Sequence, residues 1–206
     1  MFKRLAVLAM VSGALLLAAG CAREKAPTVN DSMTKIMQPE AQTIWDISSR
    51  AFNARGDGLD PALFKPADWV KLAKAGRKLR DRAHILANDP NVQVTTFGQT
   101  MMGENSSHSG VRGEWDAASP TQVKAYIDAN PKLFSEKARV LEKAGADLLE
   151  AAHNYDAKGV YAVSSNLDEV CDGCHEKFWG TDEPPPFKAG QDAPRPDGKG
   201  GWIRAY

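Results

Sequence analysis

Cysteine is scarce in this chain, with three in 206 residues, and basic and acidic side chains balance at twenty-six each. Three thiols cannot build a disulfide framework, so the fold must be held by its core or by a cofactor. Balanced charge with no dense basic block lacks the electrostatic footprint of a nucleic-acid surface, and no nucleic acid is expected as a partner. Only one long hydrophobic run occurs, Leu5 to Ala19, interrupted by Ser12 and Gly13. It is shorter than the roughly 20 apolar residues that span a bilayer. Internal repeats are absent, and strand-like alternation is rare.

That N-terminal run reads as a targeting segment. Lys3 and Arg4 supply its basic start, and it closes on Leu17-Ala18-Ala19-Gly20-Cys21. Small residues ahead of a cysteine resemble a bacterial lipoprotein signal, in which Cys21 becomes the lipidated mature N-terminus. The other reading is an ordinary signal peptide cut nearby, leaving Cys21 free. The expected organisation is a signal peptide at 1–20, a tether at 21–28, one domain at 29–180 and a Gly/Pro-rich tail at 181–206. Export with a lipid on Cys21 places the protein on the periplasmic side of a bacterial membrane, the outer membrane favoured. A soluble periplasmic form is the alternative.

The remaining two thiols fall in Cys171-Asp172-Gly173-Cys174-His175. Thiols at i and i+3 can add to the two vinyl groups of one haem, and the next histidine can ligate the iron. On a helix these two cysteines lie on one side. A thioredoxin-like dithiol would sit near a βαβ pattern, which is missing here. A structural zinc site needs four ligands, and no second Cys/His pair has suitable spacing. Covalent haem c with its iron is therefore the expected cofactor, held by thioethers at Cys171 and Cys174 with His175 on the iron.

Periodicity predicts helices. The first spans about Val29 to Asn53 through Met33, Ile36, Met37, Ile44, Ile47 and Ala51, with a kink or break after Met37 because Pro39 follows. Gly56-Asp57-Gly58 is a turn. A second helix starts near Pro66 and carries Trp69, Leu72, Gly76, Leu79, Ala83 and Leu86, ending around Asn88-Asp89-Pro90. Residues 91–119 hold either a short strand at Val92 to Phe97 or a covering loop. A brief helix is expected at Thr121 to Ala129. The third long helix, after Asn130-Pro131, carries Phe134, Ala138, Leu141, Gly145, Leu148, Ala152 and Tyr155. The fourth begins near Asp156 and runs through Val160, Val163, Leu167, Val170 and Cys174. The expected fold class is all-α, an antiparallel four-helix bundle with covalently bound haem.

A signal peptide, four helices and Cys-x-x-Cys-His near the end of the last one resemble the cytochrome c-prime family, the class II c-type cytochromes. The resemblance covers about Val29 to Trp179. It implies a bundle around one haem, with Cys171 and Cys174 as attachment points and His175 as the proximal ligand. In that family the distal side is presented by the first helix, where a methionine gives six-coordinate iron and a nonligating residue leaves it five-coordinate. Met33 and Met37, four apart, are the candidates on one helix face. An up-down bundle sets the start of the first helix beside the end of the fourth, which favours Met33. His84 and His153 read as solvated or partnered, and His108 lies in the long connection. Arg50, Arg77, Arg80 and Arg82 are candidates for the haem propionates; Tyr155, Phe178 and Trp179 are candidates for the haem wall.

With no acid, base or nucleophile arrangement beside the motif, an enzyme is not expected. The expectation is a membrane-tethered electron carrier whose partners are periplasmic or membrane redox proteins, with a homodimer left open. The alternative is a five-coordinate haem protein binding nitric oxide or carbon monoxide.

Overall fold

Three of the five helices among the described residues open on a proline, whose missing N–H costs nothing in a first turn and whose φ is preset for one. A computed structural model describes residues 26–96, 120–178, 195–196 and 202–203. Among these, α1 is a continuous helical run made of Val29–Ser32, a π-helical Met33–Met37 and Gln38–Arg50. Then come α2 at Pro66–Asn88, the short α3 at Pro120–Ala129, α4 at Pro131–His153 and α5 at Ala157–Phe178. Apart from an isolated bridge between Phe52 and Leu59, the described extended pairing is a two-residue antiparallel pair, Arg195–Pro196 with Trp202–Ile203. The fold is an all-α helical bundle.

The bundle runs α1, α2, α4, α5 and back to α1, with α2 against α4 as the most extensive pairing. Cross-links between α2 and α4 climb one helix as they descend the other, so the two are antiparallel. Ser135 Oγ donates to the Ala87 carbonyl at 2.7 Å, Arg139 Nη2 to Asn88 Oδ1 at 2.9 Å, and His84 Nδ1 sits 2.7 Å from Glu142 Oε1. Further along, Gly76 and Gly145 face each other. A Cβ on Gly145 would lie 2.5 Å from the Arg80 nitrogen and 2.8 Å from the Gly76 carbonyl oxygen. Two glycines thus let the backbones touch where any side chain would hold them apart.

The core is made by the apolar stripes that helical spacing predicts. Ile44, Leu72, Leu79, Leu148, Val160 and Leu167 are fully buried. At the end of the bundle where α1 finishes and α2 begins, Asp68 ties the two together. One carboxylate oxygen accepts the Lys65 N–H at 2.8 Å, as an N3 acid should, and the other accepts Arg50 Nη2 at 2.6 Å. The Arg50 guanidinium holds the Asp68 carboxyl below its usual range, against a burial effect that opposes it.

The structure corrects four sequence expectations. First, no break follows Met37: α1 continues, with a π-helical Met33–Met37 leading directly into Gln38–Arg50. Second, α1 ends at Arg50 rather than near Asn53, and Phe52 bridges Leu59 across the turn that follows. Third, of the two readings for the connection the strand fails over its described part, residues 92–96, although Val92 and Val94 are buried; the carbonyls of Gln93 and Val94 accept the first N–H groups of α1, from Val29 at 2.8 Å and Asn30 at 2.9 Å. Fourth, α4 stops at His153. Tyr155 stands in the α4–α5 turn with φ of 55°, is 67% exposed, and meets the edge of Trp69 at 5.5 Å. The last correction places it some sixteen residues of helix from the motif, so it walls no haem.

Candidate functional site

A cavity of about 340 Å³ opens between the first half of α1, the start of α4 and the last turns of α5. Its volume falls in the range of about 300–1,000 Å³ typical of cofactor sites. From α5 it takes Cys171, Cys174 and His175; from α1, Met33, Met37, Ala41 and Trp45; from α4, Phe134, Lys137, Ala138 and Leu141; from α2, Leu86. The antiparallel course of the bundle produces this meeting, because it brings the N-terminal turns of α1 beside the C-terminal turns of α5. The two sequence-expected groups, the thiol–histidine motif and the methionine pair, therefore share one chamber.

Burial differs within the pair. Met37 is 6% exposed and packed into the core, whereas Met33 is only partly covered and faces less protein. On α5 the motif sits at the helix's last two turns, after a buried stripe of Val160, Ser164 and Leu167 has fixed which side of the helix points inward. Burial pushes the Cys174 thiol up to about 11, and the charge of Lys137 works the other way. Both thiols are partly buried and packed against the apolar core, surroundings suited to an apolar ring rather than to a solvated dithiol.

Other expected residues lie elsewhere. Arg50 pairs with Asp68 and Arg80 with Asp81; none of Arg50, Arg77, Arg80 or Arg82 lines the cavity. Phe178 stands behind the wall, its ring edge-on to Phe134 at 5.3 Å. His84 is partnered by Glu142, and His153 closes α4. Cys21, His108 and Trp179 fall outside the described residues.

Sequence reasoning missed Lys137, Trp45, Phe134 and Leu86 as lining residues. Trp45 had a signal, since Met37, Ala41 and Trp45 recur every four positions. Its indole Nε1 is buried without a hydrogen-bond partner, a cost of a kind that native structures rarely leave uncompensated. Lys137 had none, because its place depends on α4 packing beside α5, where its Nζ would lie 3.1 Å from a Cβ on Gly173.

The residues fit a covalent haem. Two sulfurs one helical turn apart and the neighbouring imidazole would hold it from α5, while aliphatic and aromatic side chains close round it and Lys137 offers the cation that a propionate takes. Among the described residues, no group of three or more His, Cys, Asp or Glu side chains converges as a bare metal site would require. Nor is any described helix long and apolar enough to cross a membrane. No curated protein sequence and no solved structure matches the chain. A family model does: residues 108–179, the stretch that contains α3, α4 and the haem motif on α5, match the one described as Cytochrome C'. That match, over 72 of the 206 residues, supports the cytochrome c-prime family, whose members bind covalent haem c with its iron.

Proposed function

We propose that this protein is a membrane-tethered electron carrier on the periplasmic side of a bacterial membrane, with His175 and Met33 as the axial ligands of one haem c. The observation that carries the reading is the shared cavity, with His175 on its α5 wall and the two methionines on its α1 wall. Haem c, when bound, supplies a ferric–ferrous couple. The residues of the chain set the conditions for it. Cys171 and Cys174 would fasten the ring by thioethers, so that it cannot be lost outside the cell. Ala41, Ala138, Leu141 and Phe134 line the cavity and would keep water from a bound ring, and a methionine ligand together with histidine would favour the reduced state and raise the potential.

Met33 is the preferred ligand of the pair. Both line the cavity, but Met37 is buried in the core, as a core-filling methionine is, while Met33 is only partly covered. A lipid on Cys21 would hold the carrier near membrane redox proteins, its partners in this reading. No catalytic role is assigned to the protein: Asp168 and Asp172, the acids in the cavity lining, are both exposed.

Visible absorption spectra of the oxidised and reduced holoprotein, beside those of Met33→Ala, test the proposal. A low-spin ferric spectrum that becomes high-spin in Met33→Ala supports it. A high-spin spectrum unchanged by the substitution refutes it, and assigns the site to binding nitric oxide or carbon monoxide at an open coordination position.

A further inference from the structure

Met33, Met37, Ala41 and Trp45 all line the cavity, and their positions along α1 raise a problem of phase. An α-helix turns about 100° per residue. Over the twelve residues from Met33 to Trp45 a regular helix would carry the side chains about 120° away from alignment, spreading them round its surface. The helix here is not regular. Met33–Met37 is π-helical, and the Gln38 N–H donates to the Met33 carbonyl, five residues back. Such a turn accommodates one residue more than an α turn. With that residue discounted the span becomes eleven, and the offset from Met33 to Trp45 falls to about 20°. The extra residue is what aligns Met33 with Ala41 and Trp45 on a single wall.

The cause lies two residues beyond the π turn. Pro39 has no N–H to offer Lys35, and in α geometry its ring would run into the Lys35 carbonyl. Opening the preceding turn to five-residue spacing moves that carbonyl aside without breaking the helix. Thr34 adds to the loosening, since its Oγ1 donates to the Asn30 carbonyl at 2.8 Å in competition with the backbone. Past the turn, Gln38–Arg50 resumes as ordinary α-helix with Pro39 in its first turn.

We infer that Pro39 is a positioning residue for the haem: by enforcing the π turn it sets the rotation of everything before it, and so delivers Met33 to the iron. The inference rests on the reading of Met33 as distal ligand, and it names what makes that ligation sterically available. Pro39 itself does not line the cavity.

The test uses four holoproteins: wild type, Met33→Ala, Pro39→Ala, and Pro39→Ala with Lys35 deleted. Lys35 is exposed, paired only with Asp31 at 2.7 Å among its described contacts, and its deletion removes the surplus residue directly. Crystal structures of the holoproteins read the helix pattern; ferric spectra and reduction potentials read the ligand. Pro39→Ala is expected to return residues 33–37 to α-helix, to lose the low-spin spectrum as Met33→Ala does, and to fall in potential. The double change is expected to restore both, because an α-helix one residue shorter leaves Met33 about 20° from the Ala41 line. A merely destabilising role for Pro39 would give no such rescue.

Persistence of the π turn in Pro39→Ala overturns the inference. So does an unchanged low-spin spectrum in Pro39→Ala when Met33→Ala has lost it. Should Met33→Ala itself leave the spectrum unchanged, the ligand assignment is what fails, and the crystal structures still decide whether Pro39 controls the turn.

Discussion

Replacing Gly145 by alanine sets two well-known effects against each other, and the structure says which wins. Alanine favours a helix interior over glycine by about 1 kcal/mol. Here, however, the new methyl would lie 2.5 Å from the Arg80 nitrogen, 2.8 Å from the Gly76 carbonyl oxygen and 3.0 Å from the Arg80 Cα. All three are backbone atoms of α2, so no side-chain rotation relieves them. The helices must part by about an ångström along their tightest contact, in the range where overpacking costs about 1–3 kcal/mol. Backbone clashes of this depth belong at the upper end, so the net loss is about 2 kcal/mol once propensity is subtracted. For a chain of this size that corresponds to a fall in Tm of about 4–8 °C. Thermal unfolding of the holoprotein, followed by far-ultraviolet circular dichroism, measures it. Gly58→Ala serves as control: its Cβ would meet only the Asn53 side chain at 3.4 Å, and a shift within about 0.5 kcal/mol is expected. A Gly145→Ala protein as stable as wild type would show that α2 and α4 are not held at backbone contact, and the account of the bundle's tightest seam would fail.

Replacing either Cys171 or Cys174 by alanine should leave haem attached through one thioether at most, which mass spectrometry of protein matured in a cytochrome-assembling host detects. Asp68→Asn should cost about 1.5–3 kcal/mol at neutral pH, the range for hydrogen bonds to charged groups, with the lower end favoured because Arg50 is half-exposed. The Asp68 pKa is depressed in the folded protein, so its contribution is present above the ordinary carboxylate value near 4 and is lost as pH falls through the lower folded value. The stability gap between wild type and Asp68→Asn should therefore hold from pH 7 to about 5 and close in stronger acid, as urea titrations across that range would reveal. Thr28→Ala removes the N-cap acceptor of α1, whose Oγ1 takes the Asp31 N–H at 3.0 Å. A loss of about 1 kcal/mol is expected, with faster amide exchange confined to the first turns of α1.

Much of the bundle could be read from residue order because its boundaries are chemically marked. Pro66 and Pro131 open helices, Gly56 takes the left-handed conformation with φ of 74° in its turn, and the stripe from Trp69 to Leu86 has one spacing and one buried face. The haem motif was legible because two thiols and an imidazole at that spacing have few other uses. The π turn was not. Spacings of three and four tolerate a residue of drift, so the run from Met33 to Ile47 looks equally apolar with or without it, and Pro39 announces only that something must yield. Tyr155 was misplaced for a related reason: membership of a stripe gives a side chain's azimuth but not its height, and it lies at the end of the bundle opposite the motif. Lys137 could not be found at all, because a charge on an amphipathic helix acquires meaning only from the neighbour it packs against.

The first N–H groups of α1 are not left to water. Val29 and Asn30 donate to the carbonyls of Gln93 and Val94, and Thr28, Asn30 and Ser32 are buried around that join. Met33 lies one turn further on. A pull on the chain's leading end would meet this clasp before it reached the sulfur, so the N-terminal tether proposed above would load the clasp and leave the wall of the cavity still.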